Sequence, residues 1–134
     1  MPKRSFYAKV APAALGPYSH ATLAGGFAFI SGQLGLVPST NILAEGGIEE
    51  ETRQALENIK SILSELGASP LDVVKATVFL RDMNDFAAMN KVYATYFPSE
   101  CPARSAVQIG ALPKDAAVEI EVIAAVGQAA IGAP

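Results

Sequence analysis

Residues 101–126, CPARSAVQIGALPKDAAVEIEVIAAV, decide how the chain is read. Two apolar runs, 105–111 and 117–126, flank a Pro-Lys-Asp turn, and this arrangement predicts a β-hairpin about Lys114. Three residues disturb the apolar pattern. Arg104 stands at the mouth of the first run, and Glu119 and Glu121 lie inside the second. Side chains alternate along a strand, so the two glutamates share one face. In a chain this apolar, such charges either face water or take part in chemistry.

Upstream, DMNDFAAMNKVYATYFP (82–98) predicts a helix with Phe86, Met89, Tyr93 and Phe97 on one face and Pro98 as its stop. The β-branched run LDVVKATVFLR (71–81) predicts a buried strand. Before it lies the clearest helix, beginning at Ile48. Ile48, Thr52, Ala55, Leu56, Ile59, Ile62, Leu63 and Leu66 recur at helical spacing. Glu49, Glu50 and Glu51 suit its positive N-terminal end, and Gly67 suits its C-terminal cap. Residues 22–36 predict a hairpin turning at Gly25-Gly26, its second strand running from Phe27 to Ser31 and ending at Gly32. Residues 5–10 predict a first strand, 11–21 and 37–47 are loops, and the chain closes on an Ala/Gly tail.

The order ββ-α-β-α-ββ, without linker or repeat, predicts one α+β domain over 1–134 with its core at about 11–126. Two helices pack on one face of a mixed β-sheet. The other face then needs a cover, and a symmetric oligomer supplies one. Composition points the same way: charged residues are 17% and hydrophobic residues 51%, against roughly 25% charged in ordinary soluble proteins.

Net charge is −3, and the ten Lys and Arg are scattered. That disfavours nucleic acid as a main partner, because such binding rests on a basic surface. No apolar run is long enough to cross a membrane, and MPKRSFYAKVAPAALG lacks the apolar core of a signal peptide. One cysteine, Cys101, excludes an internal disulfide and fits a reducing, cytoplasmic setting. With a single histidine, His20, no metal-ligand spacing emerges. No phosphate-binding loop, dinucleotide fingerprint or nucleophile elbow is present.

Several polar residues nonetheless ask for a role. Arg104 either forms a salt bridge or grips a carboxylate through two parallel hydrogen bonds. Glu119 and Glu121 either line a solvated face, or one of them is a buried carboxylate that orients a water. Asn90, four residues after Phe86 and three before Tyr93, sits on or beside the apolar helix face. Tyr18, in a proline-stiffened loop, is an anchor or a pocket wall. At Ser31-Gly32 a hydroxyl and a backbone N–H either serve a turn or meet a ligand. Together these residues suggest a pocket for a small acid.

GPYSHA, ISGQLGL, ETRQALENI, KATVFLRDMNDFAAMNKVY and CPARSAVQIGALPKDAAVEIEVIAA resemble the RidA family, also called YjgF or reactive intermediate deaminase. The match runs from about Ala11 to Ala125. The resemblance implies a chorismate-mutase-like fold and a homotrimer with clefts between subunits. It implies hydrolysis of reactive enamine and imine acids, such as 2-aminoacrylate and its imine tautomer, to 2-keto acids and ammonia, without cofactor or metal. Carried over by motif, Arg104 holds the substrate carboxylate and Glu119 orients or activates water. Tyr18, Ser31, Gly32 and Asn90 line the cleft. Some members carry a cysteine where this chain has Ala106, so only a backbone carbonyl role survives there. The usual GPYSQ reads GPYSH, a change open to altering the cleft rim, although a lone histidine such as His20 is more often a surface or structural residue.

Two other functions compete with the deaminase: a non-catalytic module binding 2-keto acids or other carboxylates, and an endoribonuclease or translation inhibitor. Geometry poses a question of its own. In a regular hairpin about Lys114, Glu119 faces about position 109 and Arg104 about position 124, roughly 17 Å apart along the strands. Either the LPKDA connection and bulges shift the register, or another chain brings the two groups together.

Overall fold

In the computed structural model, which describes residues 3–127, eight strands and two helices follow one another. The strands are Arg4–Phe6 (β1), Ala21–Ala24 (β2), Phe27–Leu34 (β3), Leu36–Val37 (β4), Ile42–Leu43 (β5), Val73–Leu80 (β6), Ala103–Gln108 (β7) and Val118–Ala125 (β8). The helices are Ile48–Glu65 (α1) and Phe86–Tyr96 (α2). The Ala/Gly tail beyond residue 127 lies outside the described residues.

The periodicity of α1 is the periodicity of its burial. Thr52, Ala55, Leu56, Ile59, Ile62, Leu63 and Leu66 are all buried; each large apolar side chain among them contributes about 1.5–3 kcal/mol on leaving water. The helix closes as a Schellman motif. Gly67 has φ 74°, its N–H donates to Ser64 O, and the Ala68 N–H donates to Leu63 O. Of the three leading glutamates, Glu51 turns inward. Its Oε1 accepts the Ala117 N–H at 2.8 Å, which ties the start of α1 to the entry of β8.

The sheet corrects the expected hairpin. Its order is β1-β2-β3-β8-β6-β7. β7 pairs with β6 in parallel at the sheet edge, while β8 lies in the middle, antiparallel to both β3 and β6. Between β7 and β8 the chain makes a 3-10 turn at Pro113–Asp115, with Lys114 and Asp115 both at positive φ. The physical reason is burial. Val118, Ile120, Val122 and Ala124 need cover along a whole face, whereas β7 is half exposed and suits an edge. The segment β6-α2-β7 is then a crossover unit, the ordinary way to join parallel neighbours.

Both helices pack on one face, over Val78, Leu80, Ile120 and Val122 among others. The opposite face leaves large apolar groups open: Phe27, Phe29 and Val107 are 41%, 45% and 43% exposed. Two shorter departures bear on the site. The first strand stops at Phe6 rather than residue 10. β3 continues past Gly32 to Leu34, through an irregularity between Ile30 and Gln33.

His20 is buried and structural, one of the two readings open to a lone histidine. Its Nδ1 accepts the Ala8 N–H at 2.8 Å, so Nε2 carries the proton and donates to Pro12 O at 2.7 Å. One ring thus pins the chain at Ala8 and Pro12 to the start of β2. We expect His20→Ala to lose about 2 kcal/mol or more by stranding two buried backbone groups. His20→Gln retains most of the stability, because an amide also presents one acceptor and one donor. Urea unfolding midpoints check this; equal losses in the two variants would contradict the strut.

Candidate functional site

The residues singled out from sequence fall into two groups on opposite faces of the sheet. Directly paired residues share a face, so the register assigns each one. Arg104 pairs with Ala76, and Ala76 with Val122; all three therefore face the helices. Glu119 pairs with Phe79 and with Leu34, and points the other way. Two strand spacings and three residues separate Arg104 from Glu119, roughly 10 Å in each direction, with the sheet itself between the side chains. A single chain does not bring them together.

The helix-side group centres on Arg104. Its Nη1 donates to Asn90 Oδ1 at 2.7 Å. The guanidinium carbon lies 4.7 Å from the centre of the Tyr93 ring and 5.5 Å from that of Phe86. All three partners come from α2, at positions 86, 90 and 93, which helical spacing puts on one face. Among the described residues no carboxylate pairs with Arg104. Ala106, two residues along β7, lies on this same face, half-buried against the core. Cys101 donates its thiol to Phe97 O at 3.3 Å.

The second group surrounds an open cavity of about 560 Å³, lined by Tyr18, Ser31, Gly32, Leu34, Lys114, Glu119 and Glu121 among others. The β3 irregularity builds its floor. Ser31 and Gly32 together span the gap opposite Glu121, a bulge that re-aims the strand beside the glutamates. Glycine at position 32 leaves room for Glu119: a Cβ there would displace the carboxylate, which rests on the bare Cα. Ser31 is more occupied than its sequence position implied. Its hydroxyl donates to Ser19 O at 2.6 Å and its N–H to His20 O at 2.9 Å. What Ser31 offers the cavity is therefore the lone pairs of its hydroxyl oxygen.

Burial pushes Glu119 above the ordinary carboxylate range, and the neighbouring Glu121 charge adds to the effect. A carboxylate that holds its proton more tightly than usual is a stronger base once ionised, which suits it to taking and returning protons.

The model of the Endoribonuclease L-PSP family matches residues 8–126. The chain belongs to that family, the RidA/YjgF family of the sequence resemblance. A RutC family protein of Pyrococcus horikoshii is 52% identical over 91% of this chain and 97% of its own length. The 2-iminobutanoate/2-iminopropanoate deaminase of Capra hircus is 55% identical over 87% of this chain and 85% of its own. Among solved structures, E. coli TdcF with bound serine superposes with a TM-score of 0.86 at 39% identity, covering 91% of this chain and 98% of that one.

Against this RidA background, sequence reasoning passed over Phe86 and Tyr93 as site residues. It placed both on the apolar face of the second helix without linking them to Arg104. The available signal was their spacing: two aromatics flanking an asparagine on one helix face, beside a strand that opens with arginine. Lys114 was read only as a turn residue, yet it lines the cavity with the two glutamates.

Proposed function

We propose that the chain is a cofactor-independent hydrolase of reactive 2-enamine and 2-imine acids, such as 2-aminoacrylate and 2-iminopropanoate. Its products are 2-keto acids and ammonia. It works as a chorismate-mutase-like homotrimer whose sites combine Arg104 of one subunit with Glu119 of another. The carrying observation is the state of Arg104. An amide oxygen and two aromatic rings hold its guanidinium, and no carboxylate of the described residues neutralises it. A positive, planar, pre-oriented fork of this kind suits a substrate carboxylate. The deaminase name of relatives at about half identity supports the same reading.

The chemistry needs little else. The protonated imine carbon is electrophilic, and Arg104 holds its carboxylate. Glu119 accepts a proton from water as the water oxygen bonds to that carbon, and the C=N π pair moves to nitrogen. The resulting carbinolamine takes the proton back from Glu119 on nitrogen. The C–N bond then breaks, and the hydroxyl proton passes through Glu119 to the departing ammonia, leaving the keto acid and an ammonium ion. Positioning of the two reactants supplies much of the acceleration. Tyr18, Ser31, Gly32 and Asn90 line the cleft, with the Ala106 backbone at its edge. The endoribonuclease reading is weaker on charge. The cavity presents Glu119 and Glu121, which repel phosphate, and net charge is −3.

Coupling a serine dehydratase to the protein, and following keto-acid release from fresh imine, tests the proposal. Faster release than the spontaneous rate is expected. Binding of keto acids without acceleration would replace the enzyme with a carboxylate-binding module.

A further inference from the structure

We infer that Phe86 and Tyr93 are positioning residues for Arg104, an aromatic clamp that fixes the guanidinium while leaving its charge and hydrogen-bond donors for a carboxylate. The inference rests on the proposed role of Arg104 as the carboxylate holder.

Long arginine side chains are usually held in place by carboxylates, which neutralise them. Here the ring faces of Tyr93 and Phe86 lie 4.7 and 5.5 Å from the guanidinium carbon. Ring quadrupoles attract the cation without carrying a net charge. Asn90 fixes one terminal nitrogen through a neutral oxygen, at 2.7 Å. The clamp is itself rigid. Tyr93 is 7% exposed, and its ring is tilted against Phe97 with centres 4.7 Å apart. The Tyr93 hydroxyl is buried and has no hydrogen-bond partner among the described residues. It is therefore the ring, not the hydroxyl, that Arg104 uses. Asn90 and the two rings all rise from one helix, so α2 presets the fork before a substrate arrives and reduces the ordering cost of binding.

The test measures KM and kcat for 2-iminopropanoate, and calorimetric Kd for pyruvate, in wild type, Phe86→Leu, Tyr93→Leu and Tyr93→Phe. Circular dichroism and oligomeric state are checked on each. We expect Tyr93→Leu to raise KM and the pyruvate Kd together by about tenfold, with kcat within about twofold. Tyr93→Phe restores both constants. Phe86→Leu, at a half-buried position, shifts them the same way and carries the test if Tyr93→Leu fails to fold. Folded leucine variants with unchanged KM and Kd would overturn the clamp, and so would a Tyr93→Phe variant as weak as Tyr93→Leu. Pyruvate binding that depends on the rings in a protein without deaminase activity would sink the enzyme reading and leave the clamp standing.

Discussion

Arg104→Ala is expected to lower kcat/KM for imine hydrolysis by about 10³-fold or more, through loss of a charge-assisted, two-point grip on the substrate carboxylate. Most of the loss falls in KM and in keto-acid affinity. Arg104→Lys recovers little of it. A lysine ammonium keeps the charge but offers neither the planar fork nor the broad face that stacks on Tyr93 and Phe86. The variant should still fold, because Arg104 sits on an edge strand and has no ion pair among the described residues. Steady-state kinetics and pyruvate calorimetry measure both parts. A near-normal KM in folded Arg104→Ala would remove the arginine from the site.

Glu119→Gln is expected to act on the other constant, lowering kcat by about 10²- to 10⁴-fold with a small change in KM. A second consequence concerns pH. Burial first, and the Glu121 charge second, hold the Glu119 proton more tightly in the folded chain than in the unfolded one. Folding therefore binds a proton, and stability falls as pH rises from the ordinary glutamate value through the raised one. Glu119→Gln removes that loss, so the variant gains stability over wild type at neutral pH and shows no such gain at pH 4. Catalysis runs in the opposite sense, since water activation needs the ionised form. The rate climbs along an acid limb, and Glu121→Gln shifts that limb to lower pH by removing the repulsion. Thermal unfolding at the two pH values and a pH–rate profile read these effects. An unmoved limb in Glu121→Gln would separate the two carboxylates.

Local signals accounted for most of the fold. The 3.6-residue pattern of α1, its Gly67 cap and the alternation of β8 need only neighbours in sequence, and each is found where those signals put it. The pairing of β7 is different in kind. Two apolar runs around a Pro-Lys-Asp turn look like a hairpin, but pairing is decided by which strand needs burial on a whole face. β8 takes the centre of the sheet, and β7 reaches its partner through α2.

That single change alters the meaning of the site. A hairpin would have left Arg104 and Glu119 out of register on neighbouring strands. A one-residue bulge there could still have turned them to one face; the observed order puts a whole strand, β6, between them as well as opposite faces, so no bulge or register shift joins them within one chain. The bulge at Ser31-Gly32 was also hidden, because a glycine after a serine reads equally well as the end of a strand. Its reason lies in three dimensions, in the carboxylate of Glu119 lying against the Gly32 Cα. His20 was visible only as a lone histidine; its two backbone partners, Ala8 and Pro12, depend on how the loop folds back.

Complementation between inactive subunits addresses the central claim most directly. Arg104→Ala and Glu119→Gln chains are each inactive alone, and are refolded together in equal amounts, with mixed oligomers verified by native mass spectrometry. If each site joins Arg104 of one chain to Glu119 of another, about one site in four receives two intact halves, half of the chains supplying each. Activity then returns to roughly a quarter of the wild-type value. Mixed oligomers that remain as inactive as either variant would mean that both groups act from the same chain, and the division of the site between the two faces of the sheet would be wrong.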